Sequence, residues 1–289
     1  MPISISEQTP AASRWTSRLA VFSLVVLLVA AVLHRLGLPT PVAFNMLLMS
    51  YAGAFAALVL AIVATVLIWR HGGGGTSRVV MGLLISIGMF GAAAIVLILA
   101  GRYPVLNDVS TDVQAPPPFN EIAKLRGPAT NSVDYPKNFA AIQTKNYPDL
   151  QPLLIGRSRD EAHEVAVEVL KRQHYRIVHE EPAGVIEAVD RSMILGFTDD
   201  IAVRVTGDEQ RARIDIRSAS RFGISDFGHN AGRVRLLLKE IVARFEETVP
   251  SADGVKAAAG VKPDKPGAKP EKERGSKKVI QRKSQDRGR

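Results

Sequence analysis

The chain has 289 residues, 46% hydrophobic and 22% charged, with no cysteine, which excludes disulfides, thiolate catalysis and cysteine-based zinc sites together and says nothing of compartment. Its net charge of +9 is unevenly spread: residues 1–102 carry six basic groups and one acidic, residues 103–250 nineteen and twenty-two, and residues 251–289 twelve and five. The middle segment is thus slightly acidic, which argues against nucleic-acid binding there, since that needs a basic face.

Three apolar stretches, 15–33, 42–69 and 79–100, fill the first hundred residues. A helix crosses the hydrocarbon core of a bilayer in roughly 20 residues, and each stretch has that reach. The second and third contain no charge, and a charge at a helix centre costs roughly 2.5–3.5 kcal/mol. All three are predicted spans. The first has the basic front of a signal peptide in Arg14 and Arg18 and a small pair at Ala30-Ala31, but His34 and Arg35 follow at once and more spans come after, which favours an uncleaved anchor. With the N-terminus inside, Arg14, Arg18, Arg70 and Arg78 lie on the inner side and Arg35 and Arg102 on the outer, so the bias of basic residues places everything after Tyr103 outside the cytoplasm. Ser50, Gly53 and Ala57, and Gly88 and Gly91, are the small residues expected to let the helices approach closely.

Residues 103–157 read as a connector rich in proline, with Pro116-Pro117-Pro118, Pro128, Pro136, Pro148 and Pro152. Proline lacks the amide proton and biases its predecessor toward extended geometry, so an extended strap is predicted. Phe119, Phe139, Ile142 and Tyr147 suit packing against a domain better than a free spacer, and a short helical turn is predicted near 138–144.

The folded part is predicted over 158–250. Ser158 with Glu161 forms a capping box, and Ala162, Val165, Ala166, Val169 and Leu170 recur at helical spacing. Four runs of β character follow at 175–179, 185–189, 200–206 and 211–217. In the third, Ile201, Val203 and Val205 share one face. In the fourth, Ala212, Ile214 and Ile216 oppose Arg211, Arg213, Asp215 and Arg217. Strict alternation predicts a half-buried antiparallel sheet, with Gly207-Asp208-Glu209-Gln210 as its hairpin turn. A last helix, from 228 or 229 to 247, carries Ala231, Val234, Leu237, Leu238, Ile241, Val242 and Phe245 as its apolar stripe. The expected fold is α+β, a four-stranded antiparallel sheet with both helices on one face. Residues 251–289 have almost no large apolar group and are expected to be disordered.

Polar chemistry concentrates between Gly196 and Asn230. One reading makes Asp200, Arg204, Arg213, Asp215 and Arg217 a solvated ladder of cross-strand ion pairs. The sharper reading makes Arg217 and Arg221, with Ser218, Ser220 and the amides near Gly223, an anion pocket at the mouth of the last helix, with Asp226 as its cap and Asp200 and Arg204 nearby. Asp199 and Asp200 are adjacent, so on a strand they point to opposite faces and do not make a carboxylate pair. His163, His174, His179 and His229 lack metal-ligand spacing. Ser218 and Ser220 lack the Gly-x-Ser-x-Gly elbow of a nucleophile. Gly72 to Gly75 is no phosphate loop, because no Lys-Ser/Thr follows.

The runs Asn107-Asp108-Val109-Ser110-Thr111-Asp112 and Tyr147-Pro148-Asp149-Leu150-Gln151-Pro152-Leu153, then Gly196-Phe197 with Asp199-Asp200, and above all Arg217-Ser218-Ala219-Ser220-Arg221 leading to Ser225-Asp226-Phe227-Gly228 and Asn230-Ala231, resemble the bacterial family known as domain of unknown function 1499. The resemblance covers about 103–247 and implies a domain identity without an assigned activity or ligand, with the connector belonging to the domain. The leading expectation is a non-enzymatic, multi-pass envelope protein of the bacterial cytoplasmic membrane without cofactor or metal. Its partners would be the lipid bilayer and an envelope protein or anionic ligand met on the periplasmic or outer side, and its basic tail would add attraction to anionic headgroups or wall polymers. The competing expectation is a membrane-tethered hydrolase using Asp200, Asp215 or Asp226.

Overall fold

The computed structural model describes residues 9–182, 184–192 and 196–248, so the expected disorder of 251–289 lies outside the described residues. Three helices, α1 (Ala11–Arg35), α2 (Thr40–His71) and α3 (Thr76–Ala100), match the three apolar stretches and are long and apolar enough to cross a membrane. They run up, down and up, so the ends of α1 and α3 and the start of α2 share one end of the bundle. Gly53 meets the side chain of Ser23 on α1, as its size suggested, and Ser50 and Ala57 are buried. Gly88 and Gly91, by contrast, face open space; the close approach of α3 to α1 is at Gly82, which abuts Thr16. Small size permits contact, and the rotation of the helix decides which small residue makes it.

The sheet has six strands where four were expected: β1 (Asp108–Ser110), β2 (Leu153–Ile155), β3 (Arg176–Glu180), β4 (Val185–Arg191), β5 (Thr198–Gly207) and β6 (Ala212–Ser220). The order is β1-β6-β5-β4-β3, with β2 also on β6, and every pairing is antiparallel. The two additional strands come from the connector. They lie end to end along the free edge of β6, β2 at its start and β1 at its end, and give the unpaired amides and carbonyls of that edge partners. Two short helices, α4 (Glu121–Leu125) and α5 (Phe139–Asn146), complete the connector.

α6 (Arg159–Arg172) begins as the capping box predicts, the Ser158 hydroxyl oxygen accepting from the Glu161 amide at 3.2 Å. With α7 (His229–Thr248) it covers the sheet face bearing Ile201, Val203, Val205, Ile214 and Ile216, and these residues with Leu170, Leu237, Ile241 and Phe245 form the main core. The turn after β5 is closed by Asp208, whose Oδ1 accepts from the Gln210 and Arg211 amides.

The opposite face is the larger departure. One of the two readings of the alternating charges there had them solvated, yet Asp200, Asp215 and Arg217 are buried, as is Glu187 on β4. Phe119 and Ile122 of the connector pack on Val185, Val189, Ala202 and Ala219, so the strap lies across this face as a third layer. Alternation reports two unlike faces; it does not report whether something covers the polar one.

Candidate functional site

Ionic clusters lie between the sheet and its covers. The first joins β6 to β1 and the strap. Arg217 meets Asp108 edge to edge, with Nε 3.0 Å from Oδ1 and Nη2 2.6 Å from Oδ2. The same guanidinium donates to the carbonyls of Pro117 and Val133 and lies 4.4 Å from the Phe119 ring centroid. Burial pushes the Asp108 carboxyl up, against the lowering effect of Arg217. The Tyr135 hydroxyl beside it is likewise raised by burial.

In the second cluster Asp200 is fully buried between Arg221 and Arg126, which approach it at 2.7 and 2.8 Å. Arg126 also donates to the carbonyls of Asn131 and Ser132, tying the strap to the sheet. Nearby, Arg204 and Arg213 share Asp215 and Asp112. Glu187, fully buried, accepts from the amides of Asn120, Glu121 and Ile122 at 2.8, 3.0 and 2.7 Å. These are amides that a helix start leaves without internal partners, so a β4 side chain caps α4 across the gap.

The third cluster lies on the helix-covered face. Arg233 of α7 binds Asp190 and Asp199, and donates to the Ser218 hydroxyl and to Asn230 Oδ1. Asn230 donates in turn to Ser220 Oγ and the Asn107 carbonyl. Asp226 accepts from the Gly228 and Asn230 amides and so opens α7, as its expected capping role requires, while burial raises its pKa. Asp199 and Asp200 do part to opposite faces, one to Arg233 and the other to Arg221 and Arg126.

The residues named for an anion pocket are therefore distributed over both sides of the sheet. Arg217, Arg221 and Arg204 with Asp200 sit under the strap, whereas Ser218 and Asp226 belong to the α7 side. Sequence reasoning missed Asp108, Arg126, Asn131, Asn230 and Arg233 as their partners, and Glu187 as the cap of α4. The signal was present for Asp108 and Asn230, since both fall in runs that carry the family resemblance.

A cleft of about 190 Å³ opens where the strap, β1 and the end of β6 meet, lined by Asn107, Asp108, Asn131, Ser132, Asp134, Phe139 and Ser220 among others. Asn131 Nδ2 donates to the carbonyls of Ser220 and Gly223, and Asn107 Nδ2 donates to Gly223. Carbonyl oxygens only accept, so both amide groups are fixed with their nitrogens so engaged, and Oδ1 is the atom each keeps for another partner. With the exposed Asp134 carboxylate, the lining is rich in acceptors. Among the described residues no group of three or more His, Cys, Asp or Glu is placed to hold a metal ion.

Residues 108–241 match the family model described as "Protein of unknown function (DUF1499)", so the resemblance read from the sequence runs from β1 into α7 and includes the strap. No curated protein matches the chain.

Proposed function

We propose that the protein is a membrane-anchored binding module of the bacterial cell envelope. Its three helices hold it as a multi-pass protein in the cytoplasmic membrane, and its α+β domain meets a partner on the periplasmic or outer side. One observation carries the non-catalytic part: each carboxylate a hydrolase would use is engaged. Asp200 and Asp215 are buried against two guanidinium groups each, and Asp226 is bound to the amides that open α7. A general acid or base must reach a substrate proton, and none of the three lines the cleft beside Ser220.

The outer placement rests on Arg14, Arg18, Arg70 and Arg78 at one end of the bundle against Arg35 and Arg102 at the other. Exposed Trp15 and Trp69 at the four-arginine end suit a membrane–water interface. The binding surface is the cleft beside Ser220. An anionic ligand would have to displace a carboxylate from Arg217, Arg221 or Arg204, whereas a partner bearing amino or guanidinium groups finds acceptors there without breaking an ion pair.

The test is a photoreactive benzoylphenylalanine introduced in living cells at Ser132, on the cleft, with Glu209 on the exposed distal turn as control. A discrete adduct from position 132 and none from 209 is the expected result. Equal labelling at the two positions, or none at 132, would remove the cleft as the binding surface.

A further inference from the structure

Five of the eight exposed large apolar side chains of the described domain gather at one end, the others being Leu125 on α4, Leu154 on β2 beside Arg213 and Leu236 on α7. Tyr103, Val105, Phe197, Ile224 and Phe227 are exposed there, and Ile224 reaches 79%. The opposite end, around the β5–β6 turn, presents Asp208, Glu209, Gln210 and Arg211. Single exposed apolar residues are ordinary, so the argument rests on where these five lie.

They lie against the helix termini. The Phe197 ring is 5.0 Å from the ring of His34, near the end of α1. Arg191 bridges the two segments, donating from Nε to the Gly196 carbonyl and from Nη2 to the His34 carbonyl. The Arg221 amide donates to Thr198, the Asp226 amide donates to Leu106, and Gly228 abuts the Tyr103 ring. Tyr103 follows the end of α3 by three residues. The headgroup zone adds about 5–7 Å beyond the hydrocarbon on each side, so loops touching residues 34, 35 and 103 fall within it once the helices span a bilayer.

The loop that bears Ile224 and Phe227 is also held in place. Asn107 and Asn131 both grip the Gly223 carbonyl, and Asp226 grips the amides of Gly228 and Asn230. Phe227 sits at φ +54°, a left-handed conformation uncommon for a bulky residue, and its ring is nevertheless exposed. A buried anchor, a costly backbone conformation and an exposed aromatic suit a tip that presents its ring to something.

We infer that the loops at 196–197 and 222–228 form a lipid-contacting edge, seating Phe197, Ile224 and Phe227 among headgroups and upper acyl chains of the bilayer the helices cross, with exposed Arg35 and Arg102 beside them for lipid phosphates. The edge fixes the domain's tilt on the membrane and keeps its cleft at a set height. The inference rests on the anchoring proposed above.

The chain has no cysteine, so single-cysteine variants of the full protein take one label each. Ile224→Cys and Phe197→Cys, labelled with NBD and reconstituted in phosphatidylcholine–phosphatidylglycerol vesicles, are compared with Glu209→Cys on the distal turn and Phe55→Cys within α2. Lipids carrying a shallow doxyl quencher should lower emission at 224 and 197 about twofold, as expected for groups about 5–10 Å into the headgroup boundary, and leave 209 unchanged. Deep quenchers should act at 55. Quenching at 55 with none at 224 and 197 overturns the lipid edge and leaves the anchor standing. A blue shift at 224 that follows protein density and ignores the quencher assigns the edge to a second copy and equally overturns it. No quenching at 55 overturns anchoring and edge together.

Discussion

Arg217 and Asp108 form a bidentate pair buried between the sheet and its strap, 2.6 Å apart at the closer contact. Asp108 opens the matched segment and Arg217 lies 109 residues further on within it, and Arg217 extends the pair to the Pro117 and Val133 carbonyls. Removing one partner of a buried pair leaves the other charge uncompensated, at about 3–5 kcal/mol. Arg217→Met should therefore lower thermal stability sharply in detergent and speed proteolysis within 113–136. The Asp108→Leu, Arg217→Met double variant should cost clearly less than the sum of the single changes. Additive costs would show that the two do not act as a pair.

Glu187 offers a test of the strap's attachment at a different point. Its carboxylate is the partner of three α4 amides, and charge-assisted hydrogen bonds of this kind contribute about 1.5–3 kcal/mol. Glu187→Ala should accelerate hydrogen exchange at Asn120, Glu121 and Ile122 while exchange in α6 stays unchanged. Unaltered exchange at those three amides would deny Glu187 a capping role.

Asp226 sets a sign for pH dependence. Burial raises its folded-state pKa above the ordinary value, so the folded chain holds this proton more tightly than the unfolded chain. Its contribution to stability is complete below the unfolded pKa of about 3.9 and is lost as pH rises through the folded one. Asp108 has the same sign, and Asp149, lowered by its bond to Arg235, has the opposite one. The stability of Asp226→Asn measured against the parent protein cancels the other groups. It should improve as pH climbs from about 4 through the raised pKa, and a gap that widens over that range would reverse the assignment.

Ser158→Ala removes the hydroxyl that caps α6 and should cost about 1 kcal/mol in thermal unfolding, with Ser158→Gly milder. In the bundle, Gly82→Leu should disrupt the α1–α3 contact, whereas Gly88→Leu should be tolerated, since only the first meets Thr16. Equal tolerance of both changes would contradict the helix rotations described.

The parts legible in the sequence were those set by local periodicity: three long apolar helices, α6 with its cap, the alternation of β5 and β6, and α7. β1 and β2 were not, because three residues carry too little pattern and their partner strand lies far along the chain. The strap's cover of the second face was invisible for a related reason. Asp108 and Arg217 are 109 residues apart, and each alone reads as a surface charge. Phe119 was noticed as too apolar for a spacer, but which side of the sheet it covers required the fold. The runs behind the family resemblance came nearest to the site, since Asn107, Asp108, Ser218, Ser220 and Asn230 meet around the end of β6.

The account turns on the side of the membrane that holds the domain, and the cysteine-free chain allows a direct reading of it. Gly74→Cys in the α2–α3 loop and Glu209→Cys on the β5–β6 turn are exposed to a membrane-impermeant maleimide in intact spheroplasts, then again after permeabilisation. Labelling of position 209 from outside, with position 74 reached only after permeabilisation, is the predicted outcome. The reverse pattern would place the domain in the cytoplasm and contradict the proposal of an envelope partner.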